Sequence, residues 1–142
     1  MAAMTEAEWR AFLTERPRTG KLATVRKDGR PHVAPIWFDL DDDGTIVFTT
    51  GPDSVKGIAL RRDPRVSLCV DDEAPLFTFV LVDGTAELSE DPEALLRWTT
   101  RIGGRYMGAD RAEAFGRRNA VPGELLVRVR LTHVVARKGI AD

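Results

Sequence analysis

The apolar positions of this chain fall into short runs whose period changes several times. Trp9, Phe12 and Leu13 recur at helical spacing behind Thr5-Glu6-Ala7-Glu8, a capping-box pattern, and predict an amphipathic helix over Glu6–Glu15 ended by Pro17. Leu22–Val25 reads as a strand, Lys27-Asp28-Gly29-Arg30 as a tight turn and His32–Leu40 as the return strand. The acidic turn Asp41–Gly44 leads into a third strand, Thr45–Thr50. Gly51-Pro52-Asp53 breaks the sheet. Asp53 or Ser54 then caps a short helix to about Arg62, stopped by Asp63-Pro64. Arg65–Val70 and the longer Leu76–Leu88, with a bulge at Gly84, are the next two strands. A helix starting at Glu90-Asp91-Pro92 carries Leu95, Leu96, Trp98 and Ile102 and is weakened by Gly103-Gly104. Asp110–Arg118 predicts one more short helix. Leu125–Val135 alternates apolar and basic residues, so one face is buried and one is wet.

About six sequential strands joined by tight turns, with three or four short helices, predict a mainly β, α+β fold. Its sheet is antiparallel and closed or half-closed into a barrel. No repeat or linker divides the 142 residues, so a single domain over 1–142 is expected, with 1–17 as the N-terminal helix and 139–142 as a frayed tail.

Composition changes this picture little. A formal net charge of −1 argues against an electrostatic nucleic-acid or membrane binder. The N-terminus lacks the pattern of a signal peptide, and no apolar run reaches membrane-spanning length, so a cytoplasmic location is expected. Cys69, the lone cysteine, forms no internal disulfide and is expected to be a buried, reduced thiol.

Catalytic patterns are sparse. His32 and His133 lie far apart, and no Cys or His spacing suits a metal site. Asp41–Asp43 lacks the loop length of a calcium site and reads as a solvated turn. No side chain is assigned as a catalytic acid or base, so any hard chemistry would come from a cofactor. Three segments could hold one. In Thr49–Gly57 a strand ends in two hydroxyls, and a helix then begins with Ser54 and Lys56. That arrangement is either a phosphate cradle or a plain capped junction. In His32–Phe38, Pro35 removes a backbone donor, which confines it to a sheet edge or a cavity wall where a flat ring could lie. Trp37 and Phe38 must point to opposite faces. Phe77 and Phe79 share one face of the long strand, as core or as pocket wall. Arg128 and Arg130 read as a solvated edge that discourages aggregation, with an anion-facing pair as the alternative.

The ordered set Leu22–Val25, Asp28–Phe38, Thr49-Thr50, Ser54, Lys56, Leu60–Leu68 and Val82–Ala86 resembles the pyridoxamine 5′-phosphate oxidase-like superfamily. Within it, the set most resembles the short actinobacterial proteins called F420-dependent oxidoreductases. The resemblance implies an FMN-binding-like split β-barrel of six strands, forming a homodimer with cofactor sites at the subunit interface. It places Lys56 on the cofactor phosphate with Thr49, Thr50 and Ser54 beside it. His32, Val33, Ala34, Pro35 and Trp37 would line the ring, largely through backbone, and Phe77 and Phe79 would border the site. Two positions depart from the pattern of flavin mononucleotide users: Val55 and His32 stand where those proteins carry Arg. The Arg- and Trp-containing segment with which the oxidases recognise pyridoxal phosphate has no counterpart here, so vitamin B6 oxidation is not expected. All basic residues except Lys21, Lys27, Lys56 and Lys138 are Arg, a bias that fits a GC-rich source. The resemblance therefore implies coenzyme F420, with FMN as the alternative cofactor, and hydride transfer to a small conjugated organic substrate. A flavin reductase using FMN and a non-catalytic flavin-binding protein are the other functions it allows.

Overall fold

A computed structural model describes residues Met1–Asp142. The strands are β1 (Ala2–Ala3), β2 (Gly20–Val25), β3 (Pro31–Ile36), β4 (Asp39–Leu40), β5 (Ile46–Thr50), β6 (Arg65–Asp72), β7 (Thr78–Ser89) and β8 (Leu125–Lys138). The helices are α1 (Glu6–Thr14), α2 (Val55–Arg62), α3 (Pro92–Met107) and α4 (Ala112–Asn119), with a 3-10 turn at Ala109–Arg111. No helix is long and apolar enough to cross a membrane.

One antiparallel sheet runs in the order β3-β2-β6-β7-β8-β5-β4, and β1 pairs with the far end of β8. Strands β3 and β4 lie at opposite ends of this order, yet only Trp37 and Phe38 separate them in sequence. The sheet must therefore curl until its two edges nearly meet, which makes an open barrel. The count is eight strands rather than six. The run His32–Leu40 breaks at Trp37-Phe38 into two strands in different parts of the sheet, and the N-terminus adds a two-residue strand.

The barrel interior is filled from all sides. Leu22, Phe38, Ile46, Phe48, Val70, Val80, Val82 and Val127 are fully buried there, and α1 plugs one end with Trp9, Phe12 and Leu13. Thr5 caps α1 with both halves of the capping box formed. A second cluster, Val47, Leu95, Trp98 and Leu126, packs α3 onto the outer face of β5 and β8. Ile46 and Phe48 thus point in while Val47 points out, as strand alternation requires.

Several expectations change. Helix α3 runs through Gly103-Gly104 and continues to Met107. These glycines let α4 approach: a Cβ at Gly103 would lie 2.5 Å from Phe115 Cβ, and one at Gly104 would lie 2.9 Å from Ala112 Cβ. The β7–β8 register shifts between Asp83 and Gly84, with Thr132 as the extra residue on β8. Cys69 sits opposite the inward Val66, Leu68 and Val70 and is only half-buried, so it is not a core thiol. Burial nevertheless pushes its pKa up. Strand β8 lies inside the sheet, so Arg128 is not on an edge. It bonds Asp41 at 2.8 Å and lies over the Trp98 ring. Beyond β8, Ile140 N–H donates to Phe77 O and Ala141 N–H to Leu76 O.

Candidate functional site

The break between β3 and β4 is held by Tyr106. Its hydroxyl accepts from Phe38 N–H at 3.2 Å and donates to Arg18 O at 2.7 Å. Its ring lies flat on Trp37, with centroids 5.0 Å apart and planes 4° from parallel, and Phe115 packs on Trp37 at a tilt. Phe38 turns into the core and Trp37 to the opposite face, as their adjacency demands.

The turn after β5 is built around Ser54. Its hydroxyl donates to Gly51 O at 2.7 Å and accepts from Gly57 N–H at 3.0 Å, capping α2. Because that proton is committed, the 2.8 Å contact with Thr50 Oγ1 has Thr50 as donor. The first helical turn closes tightly over this loop. A Cβ at Gly57 would meet Gly51 O at 2.3 Å, so no other residue fits there without a shift. The amides of Val55 and Lys56 have no acceptor within the chain, as expected at a helix start.

These pieces meet at a cleft of about 330 Å³. Pro35, Ile36 and Trp37 form one wall; Thr49, Thr50 and Lys56 form another. Thr99 and Ile102 of α3, Asn119 at the end of α4 and Glu124 before β8 complete it. Lys56 takes part in none of the chain's salt bridges, although Glu124 lines the same cleft. Burial pushes the Glu124 carboxyl above its usual range, with the Thr49 hydroxyl pulling the other way.

Five of the eleven residues singled out in the sequence converge here: Pro35, Trp37, Thr49, Thr50 and Lys56. Ser54 stands behind the wall, with its hydroxyl spent on the cap. His32, Val33 and Ala34 continue along the edge strand β3 beyond the cleft. Val33 is 62% exposed, and His32 Nδ1 is buried without a partner. Phe79 lies at the start of β7 and Phe77 just before it, and neither lines the cleft within one chain. Phe77 precedes the strand, at φ +66°, and is exposed. The two therefore do not form the continuous strand face the sequence suggested. Glu124, Asn119, Thr99 and Ile102 carried no recognisable motif; the α3–α4 hairpin and the turn into β8 bring them in.

An unspent lysine, a helix start, a hydroxyl and a flat aromatic wall fit the phosphate end of a nucleotide-like cofactor. The chain belongs to the pyridoxamine 5′-phosphate oxidase family, whose model matches residues 5–137. It is similar to the crystal structure of the conserved hypothetical protein Rv2991 from Mycobacterium tuberculosis, with 33% identity and a TM-score of 0.81. That match covers 94% of this chain and 84% of the other. It is also similar to a solved F420 reductase, at 30% identity and a TM-score of 0.67, covering 87% of this chain and 94% of that one. Among curated proteins it is 32% identical over 75 residues to the 5a,11a-dehydrotetracycline/5a,11a-dehydrooxytetracycline reductase of Streptomyces rimosus, covering 48% of this chain and 53% of that protein. The chain spans about half the length of the curated relatives it matches.

Proposed function

We propose that this chain is an F420-dependent oxidoreductase acting as a cytoplasmic homodimer. The observation that carries the proposal is the position of Lys56, a lysine without an ion-pair partner that shares one cleft with Pro35, Trp37, Thr49 and Thr50. Two similarities support it: an F420 reductase matched over nearly its whole length, and the 5a,11a-dehydrotetracycline/5a,11a-dehydrooxytetracycline reductase of Streptomyces rimosus.

Bound F420 supplies a hydride carrier. The chain's own residues bind and orient it. Lys56 offsets the phosphate charge, and the free amides at the start of α2 add dipoles of the same sense. Pro35 presents an edge strand without an N–H at that position, so a flat ring can approach backbone there without stranding a donor. Trp37, fixed by Tyr106, keeps water from one wall. In the homodimer, a second copy would cover the exposed β3 edge around Val33 and bring its Phe77 and Phe79 towards the ring.

Titration of the purified protein with F420 and with FMN tests the proposal, followed by an assay of reduced F420 oxidation with α,β-unsaturated carbonyl acceptors. Saturable F420 binding with acceptor-dependent oxidation is expected. Preferred FMN binding would contradict the choice of cofactor, and binding of neither would contradict the function.

A further inference from the structure

Lys56 and Glu124 are the two ionisable residues that line the cleft, one from the first turn of α2 and one from the turn into β8. Glu124 reaches over the loop that leads into α2: its Oε1 lies 3.7 Å from where a Cβ at Gly51 would stand. The two side chains do not pair with each other, so the Lys56 ammonium stays open to an anion in a cleft that the Glu124 carboxyl also lines. We propose that Glu124 sets the charge of the phosphate ester this cleft accepts, favouring a singly charged phosphodiester over a doubly charged phosphomonoester. This rests on the cofactor function proposed above and assigns a selectivity device within that site.

Charge balance in the cleft favours the monoanion. A phosphodiester carries one negative charge, which the Lys56 ammonium matches. A phosphomonoester has a second pKa near 6 and so carries close to two charges above neutral pH. The second charge has no cation in the cleft lining to meet it, and it faces a carboxylate instead. Either like charges approach one another or Glu124 must take up a proton, and both weaken binding. Partial burial makes the neutral carboxyl easier to reach than in water, and in that form it donates a hydrogen bond to a monoanion. F420 joins its deazaflavin ribityl chain through a phosphodiester, whereas FMN ends in a phosphomonoester. The same two residues thus discriminate between two cofactors of nearly the same shape.

Isothermal titration calorimetry at pH 7.5 with F420, FMN and phosphate-free riboflavin tests this on the wild-type chain, Glu124→Gln and Glu124→Lys. Gln keeps the size and the donor and removes the charge; Lys reverses the charge. Glu124→Gln is expected to tighten FMN about tenfold, an effect typical of one unit charge near a partly exposed anion. F420 affinity should stay within about threefold, the smaller response expected of a balanced monoanion. Glu124→Lys should move the FMN-to-F420 ratio further the same way. In the wild-type chain, FMN should gain at most about tenfold over riboflavin, because one lysine and one carboxylate nearly cancel. An equal change for both cofactors in the variants, an unchanged FMN affinity, or a much larger wild-type advantage of FMN over riboflavin would overturn the inference. F420 binding in the wild type would still leave the cofactor function standing. Failure of the wild-type chain to bind either F420 or FMN would instead overturn that function, and the inference with it.

Discussion

The indole of Trp37 rests flat on the ring of Tyr106, with centroids 5.0 Å apart, and the Tyr106 hydroxyl bonds the backbone of the very next residue, Phe38. One side chain of α3 thus fixes both the ring that lines the cleft and the break that sends β3 and β4 to opposite ends of the sheet. Tyr106→Phe keeps the stack and removes the hydroxyl, leaving Phe38 N–H and Arg18 O without that partner. A loss of about 1–3 kcal/mol is expected, typical of a part-buried donor and acceptor left unsatisfied. Urea unfolding measures it; a loss below about 0.5 kcal/mol, the low end for a single net hydrogen bond, would show that the hydroxyl does not hold the break.

Gly103 makes a prediction of opposite sign to the usual one. In an open helix, Gly→Ala stabilises by about 1 kcal/mol. Here the added Cβ would stand 2.5 Å from Phe115 Cβ, and Phe115 in turn packs on Trp37. Gly103→Ala is therefore expected to destabilise by about 1–3 kcal/mol, as overpacking does. A thermal melt decides the sign, and a raised Tm would contradict the close α3–α4 contact.

Much of the frame was legible because it depends on local chemistry. The Thr5 capping box, the Asp28-Gly29 hairpin, the Ser54 cap and the stop at Asp63-Pro64 each act through neighbours in sequence. The β3–β4 break was not legible, because Ile36, Trp37 and Phe38 are uninterrupted apolar residues and the partner that parts the strands, Tyr106, is 68 positions from Phe38. Gly103-Gly104 read only as a weak point of the helix, because the contact they allow is with another helix. Strand alternation could have turned Cys69 outward, since Val66, Leu68 and Val70 claim the inner face. In the cleft, the lysine and hydroxyls announce themselves through their place between a strand and a helix. Glu124 does not, since one acid after a Pro-Gly turn looks like any solvated residue until α3 and α4 partly bury it.

Asp63 gives a pH signature. Its carboxylate accepts from the Arg65 side chain and backbone, which holds its pKa down to about 2. A carboxyl whose folded pKa lies below the unfolded one adds stability above the unfolded value of 3.8, and that stability is lost as pH falls through about 2. Asp63→Asn lacks this contribution. The wild type should therefore melt higher than the variant at neutral pH, with a gap that narrows between the two values and closes below them. A gap that stays constant with pH would contradict the pairing.

Lys56 is the centre of the proposed cofactor site, and the affinity of Lys56→Ala for F420, titrated beside the wild-type chain, tests it most directly. Loss of one charge-assisted contact predicts binding weaker by about 1–3 kcal/mol, roughly 5- to 150-fold, with the melting temperature nearly unchanged. Wild-type affinity in Lys56→Ala would contradict the assignment of this cleft to the cofactor phosphate.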